Sequence, residues 1–133
     1  QEAAARVYRE HALADAPPII SSLNIAVADT SAAARDLLLP EAYAKVLAQS
    51  TGEFTALRPA GDLDMDALTG QQRRRIEEAL AHDVWGTVRE MGEELRGVGK
   101  RLGVSEFVVT GDMPDVAGRA RSEELLASMQ AEN

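Results

Sequence analysis

Between Val84 and Met129 the chain spells out a helix, a strand and a second helix with their own start and stop signals, and this block constrains the fold more than any other. Thr87 and Glu90 have the spacing in which each side chain satisfies an orphan backbone N–H at a helix start. Val88, Met91, Leu95, Val98 and Leu102 then recur at steps of three and four, so they share one stripe while Arg89, Glu93, Glu94, Arg96 and Lys100 point to water. Gly103 accepts the left-handed backbone that commonly ends a helix, and Val104 can fold back onto the last turn. Glu106-Phe107-Val108-Val109-Thr110, short and rich in β-branched and aromatic side chains, predicts a buried strand that leaves through Gly111-Asp112-Met113-Pro114. Pro114 suits the first turn of a new helix, whose apolar positions are Val116, Ala120, Leu125, Leu126 and Met129.

The front of the chain supplies a partner for that strand. Glu2 to Ala14 is alanine-rich and helix-favouring, and Pro17-Pro18 stops it by removing two backbone donors. A strand is predicted from Ile19 to Ala28, with Ile19, Leu23, Ile25 and Val27 on one face and Ile20, Ser22, Asn24, Ala26 and Ala28 on the other. The larger apolar face is expected to meet helices, and the smaller, more polar face to look into a barrel. Asn24 must then find partners or line a wet cavity; a satisfied interior hydrogen bond is the simpler reading and ligand contact the other. Asp29-Thr30-Ser31 opens a helix through Leu37 to Leu39, and Pro40-Glu41 starts another carrying Tyr43, Val46 and Leu47. Ser50 to Asp66, holding Gly52, Pro59 and Gly61, reads as a surface excursion or partner-facing arm. Thr69 and Gln72 form a second capping box for a helix that is apolar at Ile76, Leu80 and Val84. Two strands joined by helical crossovers are expected to run parallel in a helix-rich α/β fold.

Composition narrows the function classes. The 45% of apolar residues in 133 suffices for one core, so a single domain over residues 1–133 is expected. Cysteine is absent, which excludes disulfides, thiolate nucleophiles and Cys-ligated metals. A net charge of −8 argues against a nucleic-acid surface. Arg73-Arg74-Arg75 reads as the solvated face of a helix with Glu77 and Glu78 as counter-charges. The longest apolar stretch, Ile19 to Ala28, is interrupted by Ser21, Ser22 and Asn24, so neither a membrane span nor a secretory signal is expected, and the cytoplasm is the expected location.

Several motifs fail on inspection. Asp62-x-Asp64-x-Asp66 opens like a calcium loop, but Ala67 stands where glycine is needed and Arg73 where the closing carboxylate belongs. Gly97-x-Gly99 lies inside a helix, with Leu102 in place of the third glycine of a dinucleotide fingerprint. His11 and His82 each lack a second histidine at helical spacing, and Ser122 and Ser128 lack the surroundings of an activated nucleophile. No catalytic set and no metal site can be assembled.

The order of the surviving motifs resembles a known family. Gly86-Thr87 with its helix, Gly103-Val104-Ser105-Glu106-Phe107-Val108-Val109-Thr110, and Arg121-Ser122-Glu123-Glu124-Leu125-Leu126-Ala127 resemble the C-terminal end of the bacterial luciferase-like monooxygenases, a flavin-dependent oxidoreductase superfamily. There a G-T-P-E helix start, a G-A-D-E-L strand and an R-S-Y-x-L-L-A final helix recur. Val7-Tyr8-Arg9-Glu10-His11 and Ser22-Leu23-Asn24-Ile25-Ala26-Val27-Ala28-Asp29-Thr30 resemble its Y-R-E-x-F helix and V-N-V-x-A-A-D-T strand and turn, and Leu39-Pro40-Glu41-Ala42 and Thr51-Gly52-Glu53-Phe54 fit the following insert. Val88 replaces the pattern's proline, and Glu123 or Glu124 its aromatic residue.

The resemblance implies the C-terminal part of a (β/α)₈ barrel, a fold that takes about 250 residues. A chain of 133 residues beginning at Gln1 is therefore expected to be that half of an enzyme, or a stand-alone relative of it, without the earlier strands that carry most flavin contacts and the catalytic groups. Binding would occur at the C-terminal ends of the strands, Ala28-Asp29-Thr30-Ser31 and Thr110-Gly111-Asp112, which makes Asn24, Thr110, Gly111 and Asp112 the rim candidates for an FMN or deazaflavin cofactor. Asp29 and Asp112 would oppose a phosphate, and helix and turn capping is the favoured reading of both over cofactor contact. Two lone parallel strands also leave unpaired edges and one face of small residues to be covered by the missing strands, by a second copy, or by this chain's own helices, and the isolated segment is expected to self-associate as a symmetric dimer, a homo-oligomer. The resemblance assigns a small-molecule substrate to the parent enzyme. The alternative is a non-enzymatic α/β interaction or oligomerisation module holding a partner through its acidic helices and the arm at residues 50–66.

Overall fold

The two strands read from the sequence are neighbours in one ladder and run the same way. In the computed structural model, which describes residues 1–131, β1 (Ser21–Val27) pairs in parallel with β3 (Phe107–Thr110), Ser21 standing opposite Phe107 and Asn24 opposite Thr110. A third strand, β2 (Val84–Gly86), pairs in parallel with the far side of β1, placing Val84 beside Ile25 and Gly86 beside Val27. The sheet order is β2-β1-β3, and the elements are α1 (Glu2–His11), β1, α2 (Ser31–Thr51), α3 (Gly70–Ala81), β2, α4 (Val88–Leu102), β3 and α5 (Val116–Ala131).

Val84 corrects the sequence reading. Its spacing from Ile76 and Leu80 continues the helical stripe, yet α3 stops at Ala81, where the His82 and Asp83 amides bond back to Ala79 and Leu80 and turn the chain into the sheet. α2 is a second correction, because one helix runs from Ser31 to Thr51 straight through Pro40. Proline removes one backbone bond and crowds the preceding turn, but Pro40 is buried among Leu37, Leu38 and Leu39, so packing holds the helix together. Thr30 caps this helix by accepting from the Ala33 amide at 3.2 Å. α1 ends at His11, earlier than the reading to Ala14, and Asp115 rather than Pro114 opens α5, its carboxylate accepting from the Gly118 amide at 3.0 Å. The capping boxes at Thr69–Gln72 and Thr87–Glu90 both form, and Gly103 ends α4 at φ +64°.

Helices cover both faces of the sheet. On one face Leu23, Ile25, Val27 and Val84 pack against Met91, Val98 and Leu102 of α4 and against Leu125 and Leu126 of α5, as the larger apolar face was expected to do. On the other, Ala26 and Trp85 pack under α2, which α3 backs with Ile76 and Leu80. The face expected to look into a barrel is thus partly covered by a helix of the same chain. The cover stops short of its lower end, where Ile20 and Val108 are each 52% exposed. β3 is therefore no buried strand: among the described residues it has a strand neighbour on one side only, and three of its four residues are exposed. Of the irregular segment, Ala60, Leu63, Met65 and Leu68 dock onto the α2–α3 core, while Phe54 stands 91% exposed. Among the described residues no helix is long and apolar enough to cross a membrane.

Candidate functional site

A polar row crosses the sheet on the α2 side. Parallel pairing aligns Asn24 of β1 with Thr110 of β3, and Asp83, preceding Val84, falls beside Asn24 on the β2 flank. The Thr110 hydroxyl donates to Asn24 Oδ1 at 2.8 Å and lies 3.3 Å from the Ser22 hydroxyl. Above the row α2 places Glu41, whose Oε2 accepts from Asn24 Nδ2 at 3.4 Å and from the Asp112 backbone amide at 3.2 Å. Its other oxygen pairs with Lys45 Nζ, one turn along the helix, at 2.6 Å. Burial pushes the Asp83 carboxyl above its ordinary range; the bond from Asn24 pulls the other way, Glu41 pushes up, and Lys45 and His82 pull down.

All four rim candidates from the sequence meet here. Asn24 and Thr110 bond each other, the Asp112 amide reaches Glu41, and Gly111 turns the chain between them at φ +119°, where L side chains are strained. A side chain on Gly111 would also come within 3.2 Å of Leu38 and 3.6 Å of Asn24. Glu41, Lys45 and Asp83 were not singled out in the sequence as site residues. They join through tertiary placement: α2 crosses the sheet at this level, and β2 was hidden in a helical pattern.

Two further joints close the C-terminal ends of the strands. Glu90 Oε2 accepts from the Thr87 amide at 2.8 Å, the Thr87 hydroxyl at 2.9 Å and the Ser31 hydroxyl at 2.6 Å, tying the start of α4 to the start of α2. The Ser31 bond, then those from Thr87, hold the Glu90 carboxyl below its ordinary range. At the other joint Arg121 pairs with Asp29 at 3.4 Å, and the buried Ser122 hydroxyl accepts from the Val27 amide at 2.8 Å. β3 ends opposite Asn24, so the Val27 N–H has no strand to meet on that side, and Ser122 stands in for one.

This surface does not fit the phosphate of a flavin. Glu41 and Asp83 face the polar row, Asp29 and Glu90 stand at the strand ends, and Lys45 and Arg121 are each engaged by a carboxylate. The arrangement locks helices to strand ends, and among the described residues of this surface no nucleophile is paired with a base. The discounted motifs have structural work: Asp64 accepts from the Ala67 amide at 3.1 Å, and Arg73 reaches the Leu68 and Asp66 carbonyls. Glu77 pairs with Arg35 of α2 rather than with the arginine run. His11 Nδ1 lies 2.9 Å from the Val7 carbonyl one turn back in α1.

No protein-family model matches the chain, and neither does a curated protein. Among solved structures it is similar to the crystal structure of apo-MsnO8, with a TM-score of 0.74 over 98% of this chain at 21% identity. The chain spans 41% of the length of that neighbour. At this identity the likeness is one of fold.

Proposed function

We propose that this chain is the C-terminal part of a luciferase-like flavin-dependent oxidoreductase, a stretch of (β/α)₈ barrel that braces the half bearing cofactor and chemistry. One observation carries the reading: residues that bear the family resemblance, far apart in sequence, meet in space. Thr87–Glu90 of the helix-start motif reaches Ser31, beyond the strand motif ending at Thr30. Arg121-Ser122 of the final-helix motif closes on Asp29 and Val27 of the strand motif, and Thr110 closes on Asn24. A fold-level likeness over 41% of a longer chain fits a stretch of a larger unit. Because the acidic rim does not fit a flavin phosphate, the FMN or deazaflavin contacts and the catalytic groups belong to the part outside residues 1–133, and this stretch alone turns nothing over.

The test is the reading frame that encodes Gln1. An upstream in-frame segment of alternating strands and helices, long enough to complete a barrel of about 250 residues, is expected. A start codon at the head of the present sequence would overturn the reading. It would favour a non-enzymatic interaction module, for which Phe54, 91% exposed on the arm, is the supporting feature.

A further inference from the structure

The space between α4 and α5 is not filled down to the sheet. It holds a cavity of about 540 Å³, floored by Ile25 of β1 and by Phe107 and Val109 of β3, and walled by Leu95 of α4 and Leu126 of α5. Small-molecule sites span roughly 300–1,000 Å³ and are mostly apolar with a few polar groups, which describes this one. Two glycines hollow the α4 wall. Gly99 lets the Phe107 ring stand 3.7 Å from where a Cβ would be, and Gly92 leaves the space into which Arg96 folds back, its guanidinium nitrogens 3.5 and 3.8 Å from the corresponding point. Two helices and two strands of this chain enclose the cavity, on the face of the sheet opposite the polar row under α2.

Charge decides what fits. The ionisable side chains of the lining are Arg96 and Glu106. As the crossover between two parallel strands, α4 runs against them, so Arg96, turned back toward Gly92, reaches for the C-terminal end of β3. Glu106 precedes the first residue of β3 and belongs to the other end. Arg9 of α1 brings a cation to that same end, where it lies against Gly103, one residue before Val104 of the lining. Arg101 is held by Glu2 and Glu94, but Arg96 meets no carboxylate within ion-pair distance among the described residues. A guanidinium at the side of an apolar cavity offers a planar fork of donors to an incoming carboxylate.

We infer that this cavity binds a small organic acid, its apolar body between α4 and α5 and its carboxylate on Arg96. The inference stands apart from the barrel reading, because every group it uses lies in this chain and away from the strand ends.

The test titrates the 133-residue chain with anilinonaphthalene sulfonate, whose fluorescence rises in apolar surroundings and whose sulfonate stands in for the carboxylate. The uncharged phenylnaphthylamine, with the same rings, is the comparison. One-to-one binding is expected, moving the Leu95, Phe107 and Leu126 amides, with the sulfonate about tenfold tighter at low salt and its advantage shrinking as salt is added. Arg96→Met is expected to erase that advantage and leave the uncharged probe unaffected. Val109→Trp, at a half-exposed strand position, fills the cavity and is expected to weaken both probes about tenfold. Thermal unfolding checks that both variants keep the fold, and the exposed Arg96 makes the first the safer of the two. Binding of neither probe, equal affinity for the two, an advantage that survives Arg96→Met, or amide shifts confined to another face would each overturn the inference.

Discussion

Replacing Ser122 with alanine deletes one oxygen from a site where nothing can substitute for it. Ser122 is 1% exposed and Val27 0%, so water has no access to the amide that the hydroxyl serves at 2.8 Å. β2 occupies the other side of β1 at this level, and β3 has already ended opposite Asn24, so no strand can shift to take the bond. A buried amide left unpaired costs about 1–3 kcal/mol. Alanine returns roughly 0.5 kcal/mol through its better helix propensity within α5. The expected net loss is therefore about 1.5 kcal/mol, or about 6 °C in Tm for a domain of this size. Thermal unfolding followed by circular dichroism measures it, with hydrogen exchange at the Val27 amide as a local readout. Ser128→Ala is the control: its hydroxyl bonds the Leu125 carbonyl at an exposed position of the same helix, and its change should stay within about 0.5 kcal/mol. Equal stability of the two variants, with unchanged exchange at Val27, would refute the assignment of Ser122 as a substitute strand partner.

Gly111→Ala should destabilise by about 1–3 kcal/mol, since φ is +119° there and the new methyl approaches Leu38, and urea unfolding would show it as a lower midpoint at constant slope. Thr87→Ala removes the hydroxyl half of a capping box and one of the three bonds to Glu90 Oε2, leaving those from Ser31 and the residue-87 amide, for a loss of about 1 kcal/mol in the same assay. Asp83→Asn tests the polar row through pH. The folded state raises this carboxyl, so it binds the proton more tightly than the unfolded chain, and its charge opposes folding at neutral pH. The variant should therefore be more stable than wild type at pH 7, and the gap should close as pH falls through the raised value into the ordinary carboxylate range. A gap that widens on acidification would contradict burial as the dominant cause.

Local chemistry was the legible part of the sequence. Thr69–Gln72 and Thr87–Glu90 announced two helix starts because a capping box is complete within four residues, and Gly103 announced a stop because its left-handed backbone needs no distant partner. Val84 was misplaced because a three-residue strand is too short to show a period of two, and its spacing from Ile76 and Leu80 mimics a helix. Pro40 was read as a break because the proline rule is local, whereas the burial that overrides it comes from α3 and β1 packing on the same helix. β3 was read as buried from composition alone, which cannot tell a central strand from an edge. The site divided the same way. Asn24 was visible as a polar residue on a strand face; Glu41 and Asp83 were not, because their roles exist only once α2 and β2 are set against β1.

The most direct test of the central claim is a flavin titration of the polypeptide encoded by the whole reading frame that contains Gln1, beside residues 1–133 alone. On the proposed reading the whole-frame polypeptide quenches FMN or deazaflavin fluorescence stoichiometrically, and the 133-residue stretch leaves it unchanged. Quenching by the short chain with a similar affinity, or no quenching by either, would contradict the account.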